Sequence, residues 1–315
     1  MSDIALQIRG INKRYGSVAA VKDLSLDIRE GEIFGFLGPN GAGKTTSILM
    51  MCGLLKPDSG SVSVRGVPVR QRDGIRRKIG MCPQEIVLWE RLTCLEQLVF
   101  IGQLYGMRVR DARTQAAVLL DELGLAEKRD AQARMLSGGM QRRLNLAMAL
   151  VHDPEIVILD EPEAGLDPQS RVRVREYIRS LARRKTVVLT THNMDEAERV
   201  ADRVAIIDHG ELLRMGALDE LLQTAGGGDV LEIHLQGDSA GMTQAGPLAQ
   251  TVFGPGAAAF LEGNLLTVRA LHSVALLPAL LESLQAAGLR PGELRIRENT
   301  LEDVFLQLTG RRLRA

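Results

Sequence analysis

The run Gly38-Pro39-Asn40-Gly41-Ala42-Gly43-Lys44-Thr45-Thr46 follows the short apolar stretch 33–37 and fits the spacing G-x-x-x-x-G-K-[ST]. Glycines at that spacing let successive backbone N–H groups converge on phosphate oxygens. Lys44 then reaches the β- and γ-phosphates, Thr45 offers a hydroxyl to Mg2+, and Thr46 adds a hydrogen bond to the phosphates. Ile48, Cys52 and Leu55 give the next segment one helical face, so a positive helix N-terminus points at the anion. This loop implies a nucleotide, and many classes of NTPase share it. A second apolar run, Ile156-Val157-Ile158-Leu159, ends in Asp160-Glu161-Pro162. An acid at the end of a parallel strand beside a phosphate loop can hold Mg2+, usually through water, and Asp160 is the candidate. Glu161 points differently and can polarise an attacking water as a general base. A third strand, 186–189, runs into Thr190-Thr191-His192, where the histidine can contact the γ-phosphate or orient that water. His152, His209, His234 and His272 lack such a context and read as structural.

Leu136-Ser137-Gly138-Gly139-Met140-Gln141-Arg142-Arg143 sets Ser137 as the N-cap of a helix whose face carries Leu144, Ala147, Met148 and Val151. Gly138 and Gly139 let the backbone approach a ligand closely, and the helix dipole favours an anion. The chain thus offers two phosphate-binding surfaces. Both serve one γ-phosphate only if the chain folds back or pairs with another copy. On these residues, over positions 4–222, the chain resembles the ATPase subunits of ABC transporters, whose signature motif stands upstream of the acidic strand.

That resemblance implies roles for further residues. Tyr15, in Lys13-Arg14-Tyr15-Gly16, matches the aromatic that stacks on adenine, a plain hairpin tyrosine being the alternative. Gln84, in Cys82-Pro83-Gln84, matches the glutamine that senses Mg2+ and the attacking water. Asp167, in Gly165-Leu166-Asp167-Pro168, matches the loop that links two active sites across a dimer, and His192 matches the switch histidine. The family implies ATP and Mg2+ as ligands and a second ATPase subunit, in a homodimer, packed head to tail. Each ATP then lies between one chain's phosphate loop and the other's Ser137 and Gly139, with Glu161 as base. Two departures stand out. Met140 replaces the glutamine that commonly ends the signature, and Glu163, replacing a small polar residue, adds negative charge near the hydrolysis site.

The signature wording, with the tail Asn299-Thr300-Leu301-Glu302-Asp303-Val304-Phe305-Leu306-Gln307-Leu308-Thr309-Gly310, resembles the DrrA-like branch of ABC-2 type exporters. An amphipathic closing helix is the plainer reading of that tail. The branch implies an integral membrane permease as partner, a cytoplasmic subunit peripheral at the inner face of the cell membrane, and drug or lipid-like cargo. Trp89, just past Gln84, is then a candidate contact for the membrane subunit, with a core position as the alternative. The basic cluster Arg70, Arg72, Arg76, Arg77 and Lys78 reads as a solvated face. A non-transport ABC ATPase would bring two fused modules or a long coiled-coil insertion. A regulatory ATP-binding module would lose the base, and Glu161 is present.

These residues require an α/β frame: by the resemblance, a P-loop NTPase (RecA-like) core with an antiparallel β subdomain and a helical subdomain at roughly 85–152, together spanning 1–225. Past the break at 225–228 the chain has no lysine and a different rhythm. Segments 230–235, 265–268 and 294–297 look like strands, and 274–284 and 301–308 like helices, so 226–315 reads as a small α+β, possibly ferredoxin-like, accessory domain. The balance of 39 Lys+Arg against 39 Asp+Glu argues against nucleic acid held by bulk electrostatics. An aromatic content of 3% excludes a ladder of base-stacking platforms. No apolar run approaches membrane-spanning length, and the polar start at 1–3 is unlike a secretory signal. The three cysteines show no metal spacing.

Overall fold

Strand-forming alternation at the start of the chain gives a long hairpin, and the phosphate loop is built on a separate parallel sheet. The computed structural model describes residues 4–69, 73–224, 229–254, 257–270 and 273–309. The linker at 225–228, residues 1–3, Arg70, Arg72, His272 and Gly310 lie outside the described residues. In chain order the first unit, Met1–Gly216, contains β1 (Ile4–Tyr15), β2 (Val18–Arg29), β3 (Ile33–Leu37), α1 (Lys44–Met51), β4 (Ser59–Val64), β5 (Val67–Pro68), α2 (Asp73–Arg76) and β6 (Ile79–Cys82). It continues with α3 (Cys94–Leu104), α4 (Val109–Glu122), α5 (Gly138–Leu150), β7 (Ile156–Asp160), α6 (Pro168–Leu181), β8 (Thr186–Thr191), α7 (Met194–Glu198) and β9 (Arg203–Asp208), and closes with β10 (Glu211–Ala217), whose last residue falls at the division between the units.

One sheet runs β2-β1-β4-β5; the other runs β10-β9-β3-β8-β7-β6 and pairs in parallel from β9 through β6. The parallel strands are buried on both faces, which explains their unbroken apolar runs. Successive side chains serve different cores. Ile156 and Ile158 join Phe34, Phe36, Ile48 and the buried face of the hairpin. Val157 and Leu159 join Leu98, Leu119, Leu144 and Ile178 on the helical side. A one-residue slip of β7 would exchange the two sets. α3 starts at a capping box, Thr93 with Glu96, which satisfies two otherwise orphaned N–H groups. The P-loop NTPase fold read from the sequence is the one observed, with the antiparallel sheet on one side and helices α3–α5 on the other.

The strand that ends in Asp160 is not the neighbour of β3; β8 lies between them. The loop therefore reaches Asp160 across an intervening strand through the first turn of α1.

The second unit, Ala217–Ala315, contains α8 (Leu218–Thr224), β11 (Asp229–Gln236), α9 (Ser239–Phe253), β12 (Ala258–Glu262), β13 (Leu265–Ala270), α10 (Ser273–Ala286), β14 (Arg290–Arg297) and α11 (Leu301–Thr309). Its sheet order is β12-β13-β11-β14, with every neighbouring pair antiparallel. With α9 and α10 as the crossovers, this is the split βαβ arrangement of a ferredoxin-like fold. Leu231, Ile233, Leu235, Leu266, Val268, Leu280 and Leu284 form its core. On the opposite sheet face, Arg269 and Arg297 both reach Asp303 on α11, at 2.6 and 2.5 Å. The units divide at 216/217, upstream of the 225/226 boundary read from the sequence. The reason is physical: α8 packs with α11, and Asn299 Nδ2 donates to Leu222 O at 2.8 Å.

Candidate functional site

Gly43 has φ +100°, and a Cβ there would lie 2.3 Å from Ala20 O, so only glycine lets the loop close against the hairpin. The loop turns through Ala42 N–H to Pro39 O, and Gly210 N–H donates to Ala42 O. Lys44 folds back along the loop, its Nζ donating to Gly38 O at 2.7 Å and Pro39 O at 3.2 Å. Burial lowers the Lys44 pKa, while the carboxylates of Glu161 and Asp160 act in the opposite direction. Asn40 and Gly41 are exposed at the loop tip, Thr46 is half-buried, and Thr45 Oγ1 donates to Asp160 Oδ2 at 3.3 Å.

The ends of β7 and β8 supply the rest. Thr190 Oγ1 donates to Asp160 Oδ1 at 2.5 Å, fixing that carboxylate. Glu161 is buried, with φ +47°, an uncommon backbone state for a side chain of this size. Its N–H is held by Thr190 O at 3.1 Å and Thr190 Oγ1 at 3.2 Å. Around its carboxylate stand His192 Nδ1 at 2.8 Å, Gln84 Nε2 at 3.2 Å and Lys44 Nζ at 3.9 Å. Lys44, Thr45, Gln84, Asp160, Glu161 and His192, drawn from four sequence segments, therefore meet in one place.

Tyr15, Ser137, Gly138, Gly139 and Asp167 stand apart from that cluster. Tyr15 ends β1, is 52% exposed, and has Lys13 Nζ 5.9 Å from its ring centroid. Ser137 caps α5 by accepting Met140 N–H, and Asp167 caps α6 by accepting Ser170 N–H at 3.0 Å. The two signature glycines differ. A Cβ on Gly138 would meet open space, whereas one on Gly139 would lie 2.5 Å from Ser170 Oγ. Gly138 keeps a surface free for a ligand, and Gly139 makes room for α6.

Several residues escape a reading of motifs. Glu163 does not leave a bare charge near the site: Arg175 grips it with two bonds, at 3.0 and 2.5 Å. Thr191 Oγ1 donates to Glu196 Oε2 at 2.9 Å, just behind His192. Arg142, 2% exposed, lies within the signature segment. The doubled arginine after the signature glycines was the available signal. Trp89 is half outside the core at 41% exposure, edge-on to Phe100 with ring centroids 5.2 Å apart. Cys52, Cys82 and Cys94 are buried and unpaired, and burial pushes the Cys52 thiol up to about 12 and Cys82 to about 11.

A family model described as ABC transporter matches residues 21–164. A linearmycin resistance ATP-binding protein of Bacillus subtilis (strain 168) is 38% identical over 98% of this chain and 99% of its own. The chain belongs to the ABC transporter ATP-binding family. The Nod factor export ATP-binding protein I of Sinorhizobium fredii (strain NBRC 101917 / NGR234) is 40% identical over 99% of this chain and 88% of its own. A daunorubicin resistance ATP-binding protein of Streptomyces coeruleorubidus is 38% identical over 98% and 97%. A solved ATP-binding subunit of an ABC transporter superposes with TM-score 0.65 at 28% identity, covering 70% of this chain and 93% of that one. A dimeric ATP-binding cassette, solved in a post-hydrolysis state bound to ADP and Pi, superposes with TM-score 0.62 at 29% identity over 68% and 98%. ABC ATPases of this family hydrolyse ATP as dimers and work with membrane subunits. Among the described residues, no helix is long and apolar enough to cross a membrane.

Proposed function

We propose that this chain is the ATP-hydrolysing subunit of an ABC-2 type exporter, working as a head-to-tail homodimer on a separate membrane permease. The observation that carries the reading is the meeting of Lys44, Gln84, Glu161 and His192 at the exits of parallel strands, in a chain of this family.

The loop amides and Lys44 bind the phosphates, and Tyr15 stacks on the adenine. Glu161 takes the proton of the attacking water. Gln84 and His192 hold its two carboxylate oxygens, and the burial of Glu161 limits access of bulk solvent to it. Asp160 and Thr45 fit Mg2+: they are hard oxygen donors 3.3 Å apart, and Thr190 already orients the carboxylate. Gln84, whose Nε2 donates to Glu161 Oε2 at 3.2 Å, is the third residue assigned to the ion. Held there, Mg2+ would supply charge neutralisation to the phosphates of the nucleotide. Ser137, Gly138 and Gly139 of the facing copy complete the site around the γ-phosphate, and Asp167 lies in the loop linking the two sites. ATP closes the dimer, and hydrolysis with product release reopens it.

The exposed apolar residues Ile86, Val87, Trp89, Phe100 and Leu104 provide the surface for the membrane subunit. The relatives are named for export of Nod factors and for resistance to linearmycin and daunorubicin. They support a drug or lipid-like cargo, whose identity is set mainly by the permease.

The test is purification of the tagged chain from detergent-extracted membranes of its native host. An integral membrane protein should co-purify in fixed proportion, and the complex should hydrolyse ATP, with activity lost in Lys44→Ala. An active chain that retains no membrane protein would overturn the transport reading.

A further inference from the structure

Arg142 sits one turn into α5, the helix capped by Ser137, and its guanidinium is buried without a carboxylate partner within ion-pair distance among the described residues. Every partner is a backbone carbonyl. Nε donates to Pro162 O at 3.1 Å; Nη1 donates to Pro83 O and Gln84 O, both at 2.8 Å; Nη2 donates to Asp160 O at 2.8 Å and Glu161 O at 2.5 Å. A guanidinium has five N–H groups in a rigid fork, and these bonds occupy all of them.

The acceptors fall in two places only. Pro83 and Gln84 form the loop whose glutamine touches Glu161, while Asp160, Glu161 and Pro162 form the exit of β7. One side chain thus fixes the spacing between the loop that carries Gln84 and the backbone that carries the base. It also holds the carbonyl of Glu161, whose φ is +47° and whose N–H is held by Thr190 from the other side. A residue kept in a strained backbone state needs its surroundings to over-determine it, and here both flanking peptide groups are pinned. Beside Arg142, Arg143 donates to Leu123 O at 2.6 Å and to Gly139 O at 3.3 Å, so it faces the helical side instead.

We propose that Arg142 is a positioning residue that couples the two ATP sites of the dimer. It rests on the reading above, in which this chain's Ser137 and Gly138 meet the partner's ATP while its Gln84 and Glu161 act on its own. α5 begins at the first set and, through Arg142, grips the backbone of the second. A shift of α5 on contact with the partner's nucleotide moves the anchor of Glu161 and Gln84. Each site therefore becomes competent for hydrolysis only when the other is filled.

The experiment compares ATP turnover by the full chain as wild type, Arg142→Lys, Arg142→Gln and Glu161→Gln, well below each variant's melting temperature. Lysine keeps the charge but presents three donors from a single atom, so it cannot span both sets of carbonyls. The expected result for both Arg142 variants is a kcat lower by about tenfold or more with KM for ATP within about threefold, because an interaction needed only in the reacting state has been removed. The Hill coefficient for ATP should also fall towards one. A folded Arg142→Lys chain with wild-type kcat and Hill coefficient would overturn the proposal. So would a chain that fails to fold with either substitution, since that assigns the residue to the fold alone. Wild-type turnover in Glu161→Gln would instead overturn the underlying catalytic reading, so the two failures are distinguishable.

Discussion

Arg175→Met tests whether the charge of Glu163 is satisfied by one partner. The Glu163 side chain is 3% exposed and that of Arg175 18%, with the closest contact at 2.5 Å. Removing the guanidinium leaves a carboxylate buried with its two charge-assisted bonds gone, and breaking such a buried pair costs about 3–5 kcal/mol. Arg175 keeps some contact with water, so the low end, about 3 kcal/mol, applies. In a unit of this size about 1 kcal/mol moves the melting temperature by about 2–4 °C, giving a drop of about 6–12 °C. The double variant Glu163→Gln/Arg175→Met removes the stranded charge and should recover to within about 1.5 kcal/mol of wild type. Thermal and urea unfolding of wild type, Glu163→Gln, Arg175→Met and the double variant at pH 7.5 give the coupling energy directly. A loss below about 1 kcal/mol in Arg175→Met, the value of an exposed pair, would refute the reasoning. A double variant no more stable than Arg175→Met would refute it as well.

Glu196 gives a pH signature. Burial raises its pKa, with repulsion from Glu163 adding to this and the Thr191 hydrogen bond, Arg171 and His192 opposing it. Because the folded value lies above the unfolded one, its stabilising contribution is present below about pH 4.3 and is lost as pH rises through the folded pKa. Glu196→Gln should therefore raise the melting temperature at pH 8 and leave it nearly unchanged at pH 4; equal shifts at both pH values would contradict this. Gly139→Ala should lower stability by about 1 kcal/mol through the clash with Ser170, whereas Gly138→Ala should melt like wild type yet lose ATP turnover. Melting curves and steady-state assays separate these two effects. Asp303→Ala removes the buried carboxylate that Arg269 and Arg297 share and should destabilise the second unit by about 3 kcal/mol or more, read from its unfolding transition.

The phosphate loop, the acidic strand end and the histidine exit were legible because each is a local pattern: a strand, a turn chemistry and a helix start in consecutive residues. The ferredoxin-like second unit was legible only in outline. α9 contains Pro247 among small residues, and β12 is a short strand beginning with two alanines, so neither carries a strong periodic signal. β14 extends back through Pro291 and Gly292, which an edge strand tolerates because a missing N–H there breaks no interior ladder. Arg142, the Glu163–Arg175 pair and the Arg269–Asp303 pair were not legible. Their meaning lies in partners 12 to 59 positions away in the chain, which only the fold identifies. The two signature glycines look equivalent in sequence and differ in structure because only one faces Ser170.

The most direct test of hydrolysis at a paired site is single-turnover and steady-state ATPase measurement on Glu161→Gln, with ATP retention and dimer mass followed in parallel. The expected result is turnover lower by about 100-fold or more, with ATP kept bound and the dimer held closed. Wild-type turnover in that variant, or ATP retained by a monomer, would contradict the assignment of Glu161 and the shared site.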